Sequence, residues 1–205
     1  MKRLHRPDLF CWSVFHAPLN VDFNGFAWIR PDGNVLIDPV PMSEHDLAHL
    51  RELGGAKWIV VTNVSHVRAA AELAKELGAE LLGPQAEEST FPLRCARWLA
   101  DGDTSVPGMR VLALAGSKTP GELALLLGED TLIVGDLVRA HRAGSLMMLA
   151  DDKLKDRAAA VGSIRRLAAL PKVAHVLVGD GWHTFHDGQR QLARLLQQLE
   201  TDAKP

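Results

Sequence analysis

The hydrophobic and polar positions of the first forty residues predict a run of strands joined by tight turns. Leu9–His16 alternates loosely and contains aromatic and branched residues, which suits a strand. Residues 26–29 suit a second strand, and residues 35–38 suit a third. Pro31-Asp32-Gly33-Asn34, which lies between the last two, is a strong turn signal. The first third of the chain is therefore predicted to be β-rich.

The pattern then changes to alternating helices and strands. A helical segment begins with Ser43 as N-cap and an acidic first turn, and Gly54-Gly55 ends it. Strand 57–61 follows, then a second helix that stops at Gly78, then strand 80–84. Because strands separated by helices pair in parallel, this segment predicts a buried parallel portion of the sheet.

The second half repeats the mixture of strands and helices. Residues 87–103 are irregular by pattern, whereas strands are predicted at 109–115, 122–127, 131–134 and 173–178. Helices are predicted over 152–170 and from Asp187 to 199, and 146–149 reads as a core or interface segment. We find no linker composition and no fixed-period repeat, so we expect one domain over residues 1–205.

Composition narrows the class of protein. The chain has 205 residues, 47% of them hydrophobic and 23% charged, with a net charge of −2. These values are ordinary for a soluble globular protein, and no Lys or Arg run is long enough to follow a nucleic-acid backbone. Cys11 and Cys95 suit buried thiols in a reducing compartment. No signal peptide or apolar membrane span is visible, so we expect a cytoplasmic protein without membrane or nucleic-acid partners.

Candidate chemistry lies where strands end, since ligands bind at the carboxyl ends of strands in α/β sheets. Residues 63–68 follow one strand with an amide, a hydroxyl, an imidazole and a guanidinium. Ser117-Lys118, Asp136 and residues 180–183 follow three others, each at a glycine or a turn signal. We expect a cleft that can bind a small molecule, formed by Asn63, Ser65, Arg68, Ser117, Lys118, Asp136, Asp180 and Trp182.

The order and spacing of these strand ends resemble the metallo-β-lactamase superfamily over nearly the whole chain. Thr62 and its loop fall where that family has Thr-His-x-His-x-Asp-His, and 116–121 is similar to its Gly-His-Thr-Pro-Gly-Ser loop. Residues 132–136 are similar to its Gly-Asp strand end, and 176–181 to its closing Gly-His-Gly. The resemblance implies an α/β fold, an αβ/βα sandwich of two mixed β-sheets flanked by helices.

The departures from the family pattern concern the metal ligands. The resemblance implies two metal ions held by five histidines and two aspartates. The residues at those positions are Asn63, Ser65, Val67, Arg68, then Ser117 or Lys118, Asp136 and Asp180. Of these, only Asp136 keeps its ligand type, and a fixed guanidinium repels a metal ion. We therefore expect no metal cofactor, and we predict that Arg68 bridges Asp136 and Asp180 in its place. A purely structural ion pair is the alternative.

Two functions remain open, and so does the question whether the protein is an enzyme. The first is a metal-independent binding module or a catalytically silent homologue. The second is a hydrolase of esters, thioesters, lactams or phosphoesters that binds zinc, iron or manganese at a rearranged site. That site would use His66, Asp136, His141 and His183, with Asp136, His66 and His183 as catalytic candidates. Arg139 and Arg142 indicate a solvated loop, with binding of an anionic ligand as the alternative. A homo-oligomer is compatible with the sequence.

Overall fold

We describe the fold from a computed structural model, which covers residues 1–202. The chain divides into two compact units, residues 1–99 and a second unit that begins at Ala100. Each unit contains its own sheet and its own helices, and each is described by itself. The prediction of a single domain over residues 1–205 stays a prediction.

Unit 1 consists of a seven-stranded sheet with two α-helices. The strands follow one another in the sheet as they do in the chain. They are β1 (Lys2–Arg3), β2 (Leu9–His16), β3 (Val21–Trp28), β4 (Val35–Ile37), β5 (Trp58–Val60), β6 (Glu80–Pro84) and β7 (Arg97–Leu99). The helices are α1 (Glu44–Glu52) and α2 (Ala70–Leu77).

The direction of the strands in unit 1 changes at β4. Strands β1 to β4 pair antiparallel, and β2 and β3 form a long ladder from Leu9 opposite Trp28 to His16 opposite Val21. Strands β4 to β7 pair in parallel, and α1 and α2 connect β4 to β5 and β5 to β6. The predicted hairpin strands and the predicted parallel portion are both confirmed.

The hydrophobic core of unit 1 holds the ends of β4 and β5 in place. Leu36 and Ile59 from neighbouring strands are fully buried in one cluster with Leu50 of α1 and Leu73 of α2. The predicted cap at Ser43 is confirmed, because its side chain accepts a hydrogen bond from the Asp46 N–H at 3.1 Å. Removing these apolar side chains from water is the main driving force that holds the helices on the sheet.

Unit 2 contains a four-stranded sheet, a separate two-stranded ribbon and two α-helices. The four-stranded sheet has the order β13-β10-β9-β8, and the ribbon pairs β11 with β12. The strands are β8 (Met109–Leu114), β9 (Glu122–Leu127), β10 (Thr131–Val134), β11 (Val138–Arg142), β12 (Ser145–Met148) and β13 (His175–Val178). The helices are α3 (Arg157–Ala168) and α4 (Gly188–Asp202).

The sheet of unit 2 is mixed, like that of unit 1. Strand β10 pairs antiparallel with β9 and parallel with β13. Val134 and Val178, at the ends of β10 and β13, lie in one buried cluster with Ile164 of α3 and Leu192 of α4. Because β10 and β13 run in parallel, the polar residues that follow them leave the sheet at the same edge.

Several elements differ from the sequence prediction. Residues 97–99 form strand β7, although 87–103 reads as irregular, and a run of only three residues gives little periodic signal. Helix α3 begins after Asp156, whose side chain accepts from the Ala159 N–H at 3.0 Å, rather than at Asp152. Residues 151–153 form a 3₁₀ turn before it. The segment 146–149 contributes to β12, where buried and exposed residues alternate.

Within residues 1–202, no helix is both long enough and apolar enough to cross a membrane.

Candidate functional site

The loop after β5 in unit 1 is a buried polar turn. Thr62, Asn63 and His66 are all buried, and Asn63 Oδ1 accepts a hydrogen bond from the Ser65 N–H at 2.9 Å. The chain then makes a 3₁₀ turn over Val64–His66 before α2 begins. Glu87, also buried, accepts from the Val64 N–H at 2.6 Å through Oε2. These two hydrogen bonds from backbone N–H groups to side-chain oxygens hold the loop in place.

Asp38, at the end of β4, holds this loop from the neighbouring strand. Its Oδ1 accepts from the Thr62 N–H at 2.7 Å, and its Oδ2 accepts from the Thr62 hydroxyl at 2.6 Å. His66 Nδ1 lies 2.7 Å from the same Oδ2 atom. Asp38 is fully buried, so its charge is stabilised by these three contacts rather than by water.

Arg68 lies on the other side of the His66 ring. One guanidinium nitrogen donates to the carbonyls of Asn24 at 2.8 Å and Asp38 at 3.2 Å, and the other is 3.2 Å from His66 Nε2. A guanidinium can only donate, so Nε2 of His66 is the acceptor and Nδ1 carries the proton that faces Asp38. Both ring nitrogens of His66 are therefore engaged by protein groups. The Arg68 guanidinium also lies 5.2 Å from the ring centre of Phe23.

In unit 2, the strand-end residues Ser117 and Lys118 have different partners. The Ser117 hydroxyl donates to the buried carboxylate of Glu122, which also accepts from the Leu137 N–H at 2.8 Å. Lys118 Nζ lies 2.8 Å from Asp136 Oδ2. Ser117 therefore belongs to a buried structural bond, whereas Lys118 belongs to an ion pair at the end of β10.

Arg139 joins the two aspartates of unit 2. One of its terminal nitrogens lies 3.0 Å from Asp136 Oδ1, and the other lies 3.3 Å from Asp180 Oδ2. Its side chain is only 12% exposed, and both carboxylates are buried. The interpretation of Arg139 as part of a solvated loop is wrong, because its side chain is mostly buried and contacts the carboxylates that follow β10 and β13. His141, on the same strand, places Nε2 3.3 Å from Asp180 Oδ2.

The predicted bridge from Arg68 to Asp136 and Asp180 joins residues of different units, and it stays a prediction. Within unit 2 the bridging guanidinium is that of Arg139. The interpretation of Arg142 as solvated agrees with its exposed position at the end of β11.

Trp182 and His183 follow β13. The backbone N–H of Trp182 donates to the Ala140 carbonyl at 2.8 Å, and the residue is 61% exposed, so its indole lies on the surface. His183 Nδ1 accepts from the Val178 N–H at 3.3 Å, and its ring meets Phe185 edge-on. One ring nitrogen of His183 therefore accepts a hydrogen bond from the last residue of β13.

Three charged residues of these networks are absent from the sequence prediction. Asp38 precedes Pro39 and reads as the close of a strand, Glu122 reads as the start of one, and Glu87 falls in the irregular stretch. Asp38 and Glu122 each stand directly beside a predicted buried strand. Because a buried charge requires a partner, this position was the available signal that each carboxylate binds other protein groups. Their partners come from distant segments, which the sequence pattern does not identify.

Comparison with known proteins places this geometry in a family. A family model of the metallo-beta-lactamase superfamily matches residues 1–199. A search of the curated proteins finds no match. Similar solved structures include the metallo-beta-lactamase FIM-1 from Pseudomonas aeruginosa in its mono-zinc form, at 13% identity and a TM-score of 0.76 over 96% of this chain and 92% of that chain.

Two further structures are similar over nearly their full length. The metallo-beta-lactamase from Pontibacter korlensis is 18% identical, with a TM-score of 0.76 over 97% of each chain. The protein TTHA1623, solved in a di-iron-bound form, is 25% identical, with a TM-score of 0.68 over 95% of this chain and 98% of that chain. These matches confirm the predicted fold class, an α/β protein with the αβ/βα sandwich of mixed sheets and flanking helices.

Proposed function

This chain belongs to the metallo-beta-lactamase superfamily, and from that premise we propose that it acts without a metal ion, as a binding module for a small polar molecule. Whether this chain can bind a metal ion as the family does depends on the residues at its strand ends. A divalent metal needs several free nitrogen, oxygen or sulfur ligands around one point. The residues at the ends of β10 and β13 are instead engaged with one another, and they do not fit a metal ion.

The observation that carries the proposal is the position of Arg139 between Asp136 and Asp180. Its guanidinium supplies the positive charge that two buried carboxylates require, and Lys118 adds a second cation at Asp136. A metal ion would have to displace one or both cations or lie beside them. Two buried aspartates without cations would be strongly destabilising, so this arrangement supports a site that is stable without a metal ion.

His66 supports the same proposal from unit 1. A neutral imidazole has one lone pair to offer a metal, and in His66 that lone pair accepts from Arg68. The other nitrogen faces Asp38 at 2.7 Å. Binding a metal through His66 would require the Arg68 side chain to leave and would bring the ion next to a guanidinium.

Two buried polar atoms support a ligand role. Asp180 Oδ1 and Asn63 Nδ2 have no hydrogen-bond partner among residues 1–202. Natural proteins satisfy nearly all such buried groups, by water or ligand where protein groups are lacking. Unit 2 therefore offers a carboxylate acceptor, and unit 1 offers an amide donor, so each unit can hydrogen-bond a polar ligand or an ordered water.

A metal-dependent hydrolase with a rearranged site is the second candidate. The observation in its favour is the similarity to TTHA1623, which was solved in a di-iron-bound form. Asp136, His66, His141 and His183 would be its ligand and catalytic candidates, and zinc, iron or manganese its cofactor. The protein partners of Asp136 and His66 argue against it.

The test is the metal content and the zinc response of purified protein. We expect the wild type, prepared without added metal, to contain only substoichiometric zinc, iron and manganese, and its thermal unfolding to be unchanged by zinc. Arg139→Met leaves Asp136 and Asp180 without their shared cation, so zinc should raise its Tm. At a concentration about 100 times its Kd, zinc would stabilise the variant by about 2.7 kcal/mol.

Arg110→Met is the matched control, because it removes an exposed arginine from β8, another strand of unit 2. Its Tm should not respond to zinc. Stoichiometric metal in the wild type that survives dialysis against a chelator would overturn the proposal, and so would metal-dependent hydrolysis of an ester, thioester, lactam or phosphoester. The wild-type measurements decide the question even if the Arg139 variant does not fold.

A further inference from the structure

Among residues 1–202, no strand pairs with the outer edge of β12 in the two-stranded ribbon of unit 2. The Leu149 N–H donates to the Leu137 carbonyl at 2.9 Å, which makes Val138 and Met148 a non-hydrogen-bonded pair of the antiparallel ladder. The backbone N–H and C=O groups of Met148 therefore point away from β11. Those of Leu146, two residues earlier, point the same way.

A groove of about 910 Å³ runs along this open edge. Its floor and sides come from β12, the turn that follows it and the last turns of α4. The lining includes the consecutive residues 145–151, with Leu195, Gln198, Leu199 and Asp202 on the α4 side. Met147, at the centre of the strand, is an apolar side chain that is 40% exposed. An unpaired edge with an exposed apolar centre is a template for another strand.

The residues along this edge are complementary to themselves. Positions 145–148 carry no charge, and Arg142 lies at one end. Asp151 lies at the other end, where its Oδ2 atom is 3.2 Å from Arg157 Nε of the same chain, and both side chains are exposed. Antiparallel pairing about a twofold axis through Met147 would bring the uncharged centre onto itself. The same axis would carry the Arg142 end of one strand towards the Asp151 end of the other.

We propose that this edge, residues 142–151, is the contact through which two copies of the chain form a homodimer. Leu146 of each copy would lie opposite Met148 of the other, and these pairs would exchange backbone hydrogen bonds in both directions. Met147 would meet its own counterpart on the axis. A four-residue strand is short for a stable interface, which needs at least about 1,200 Å² in total, and the α4 residues that line the groove extend the contact. The proposal goes beyond the proposed function and does not depend on it.

The twofold register makes Met147→Cys the most direct test. Cysteines at an antiparallel, non-hydrogen-bonded pair lie close enough for a disulfide, so mild oxidation should give a covalent dimer. Val14→Cys is the matched control, since Val14 is 39% exposed on a strand of unit 1. This variant should remain monomeric on a denaturing gel. Burial raises the pKa of the native Cys11 thiol to about 12 and that of Cys95 to about 11, so neither competes as a thiolate near neutral pH.

The mass of the native protein gives the second test. Light scattering after size exclusion should give twice the chain mass of 22.4 kDa for the wild type. Met147→Glu would place two carboxylates on the axis and should give the monomer mass with an unchanged circular dichroism spectrum. A wild type that is monomeric at all concentrations would overturn the proposal. So would a dimer that Met147→Glu leaves intact, or equal cross-linking of the Met147 and Val14 cysteines.

Discussion

Asp38 and Arg68 have left-handed backbone conformations that residues with a Cβ adopt rarely. Their φ angles are 47° and 39°. Such a conformation costs on the order of 1–2 kcal/mol per residue, so other contacts must hold it. Asp38 is held by Thr62 and His66, and Arg68 by the carbonyls of Asn24 and Asp38. Side-chain bonds between neighbouring strand ends therefore fix the backbone of this loop.

The charge of Asp38 is the part of this network that substitution can isolate. Asparagine tolerates positive φ, so Asp38→Asn keeps the backbone but replaces one charged acceptor oxygen with a donor. We expect the free energy of unfolding to fall by about 1.5–3 kcal/mol, the range for hydrogen bonds to charged groups. Urea denaturation measures it. Asp22→Asn, an exposed aspartate on β3, should stay within about 0.5 kcal/mol of wild type, and equal effects would contradict this account.

The charged cluster in unit 2 could be predicted from the sequence only in part. The sequence identified Asp136, Asp180 and Lys118 as neighbours of strand ends, and Lys118 and Asp136 do form an ion pair. It did not identify Arg139, because the sequence pattern is the same whether a guanidinium three residues past Asp136 points to water or to the carboxylates at the strand ends. That direction is set by β11, which the sequence pattern did not resolve.

A surface ion pair links two elements of unit 2. Arg166 of α3 donates to both carboxylate oxygens of Asp101 at 2.8 and 3.0 Å, and to the Ala113 carbonyl of β8 at 2.9 Å. Asp101 also accepts from the Ala113 N–H at 2.8 Å. The hydrogen bond from Arg166 is the main cause that holds the pKa of Asp101 below its usual value of 3.8.

This lowered pKa gives a prediction with a definite sign. Because the carboxylate is stabilised only in the folded state, its contribution is present above the ordinary carboxyl pKa and disappears as the pH falls through the lower folded value. Asp101→Asn should destabilise by no more than about 1 kcal/mol at pH 7, since the pair is half exposed. Urea titrations from pH 7 to pH 2 should show the difference vanish in acid. Arg166→Met should cost less in the Asp101→Asn background than in the wild type, because only its bond to the Ala113 carbonyl is then lost, whereas equal costs in the two backgrounds would contradict the pairing.

The elements that sequence predicted well are those with a strong local period or cap. Strand β2 was predicted with its observed bounds, and α1 followed from the Ser43 cap and its acidic first turn. Strand β7 and the β11–β12 ribbon were missed because each is short and is stabilised by neighbours distant in sequence. Tertiary pairing outweighs local pattern in strands of this length.

The fold of the whole molecule was predictable because the prediction depends on the order of strands and polar strand ends along the chain, and not on any single residue. Strand ends with polar residues recur at intervals along the chain that match the family, and the family match over residues 1–199 confirms the fold inferred from that order. The function was less predictable, because it depends on which side chains meet at those ends. The function of a chain with a known fold must be inferred from contacts at its site, such as those of Arg139 and His66, rather than from family membership.

Thermal unfolding of the intact protein tests both proposals at once and separates their failures. A protein that holds no metal should keep the same Tm after extensive dialysis against a chelator, because nothing that stabilises the native state is removed. A homodimer should show a Tm that rises with protein concentration, because unfolding releases two chains. We expect both results for the wild type, and a concentration-independent Tm for Met147→Glu. A Tm that falls with chelator would contradict the metal-independent function alone. A wild-type Tm that does not change with concentration would contradict the dimer alone.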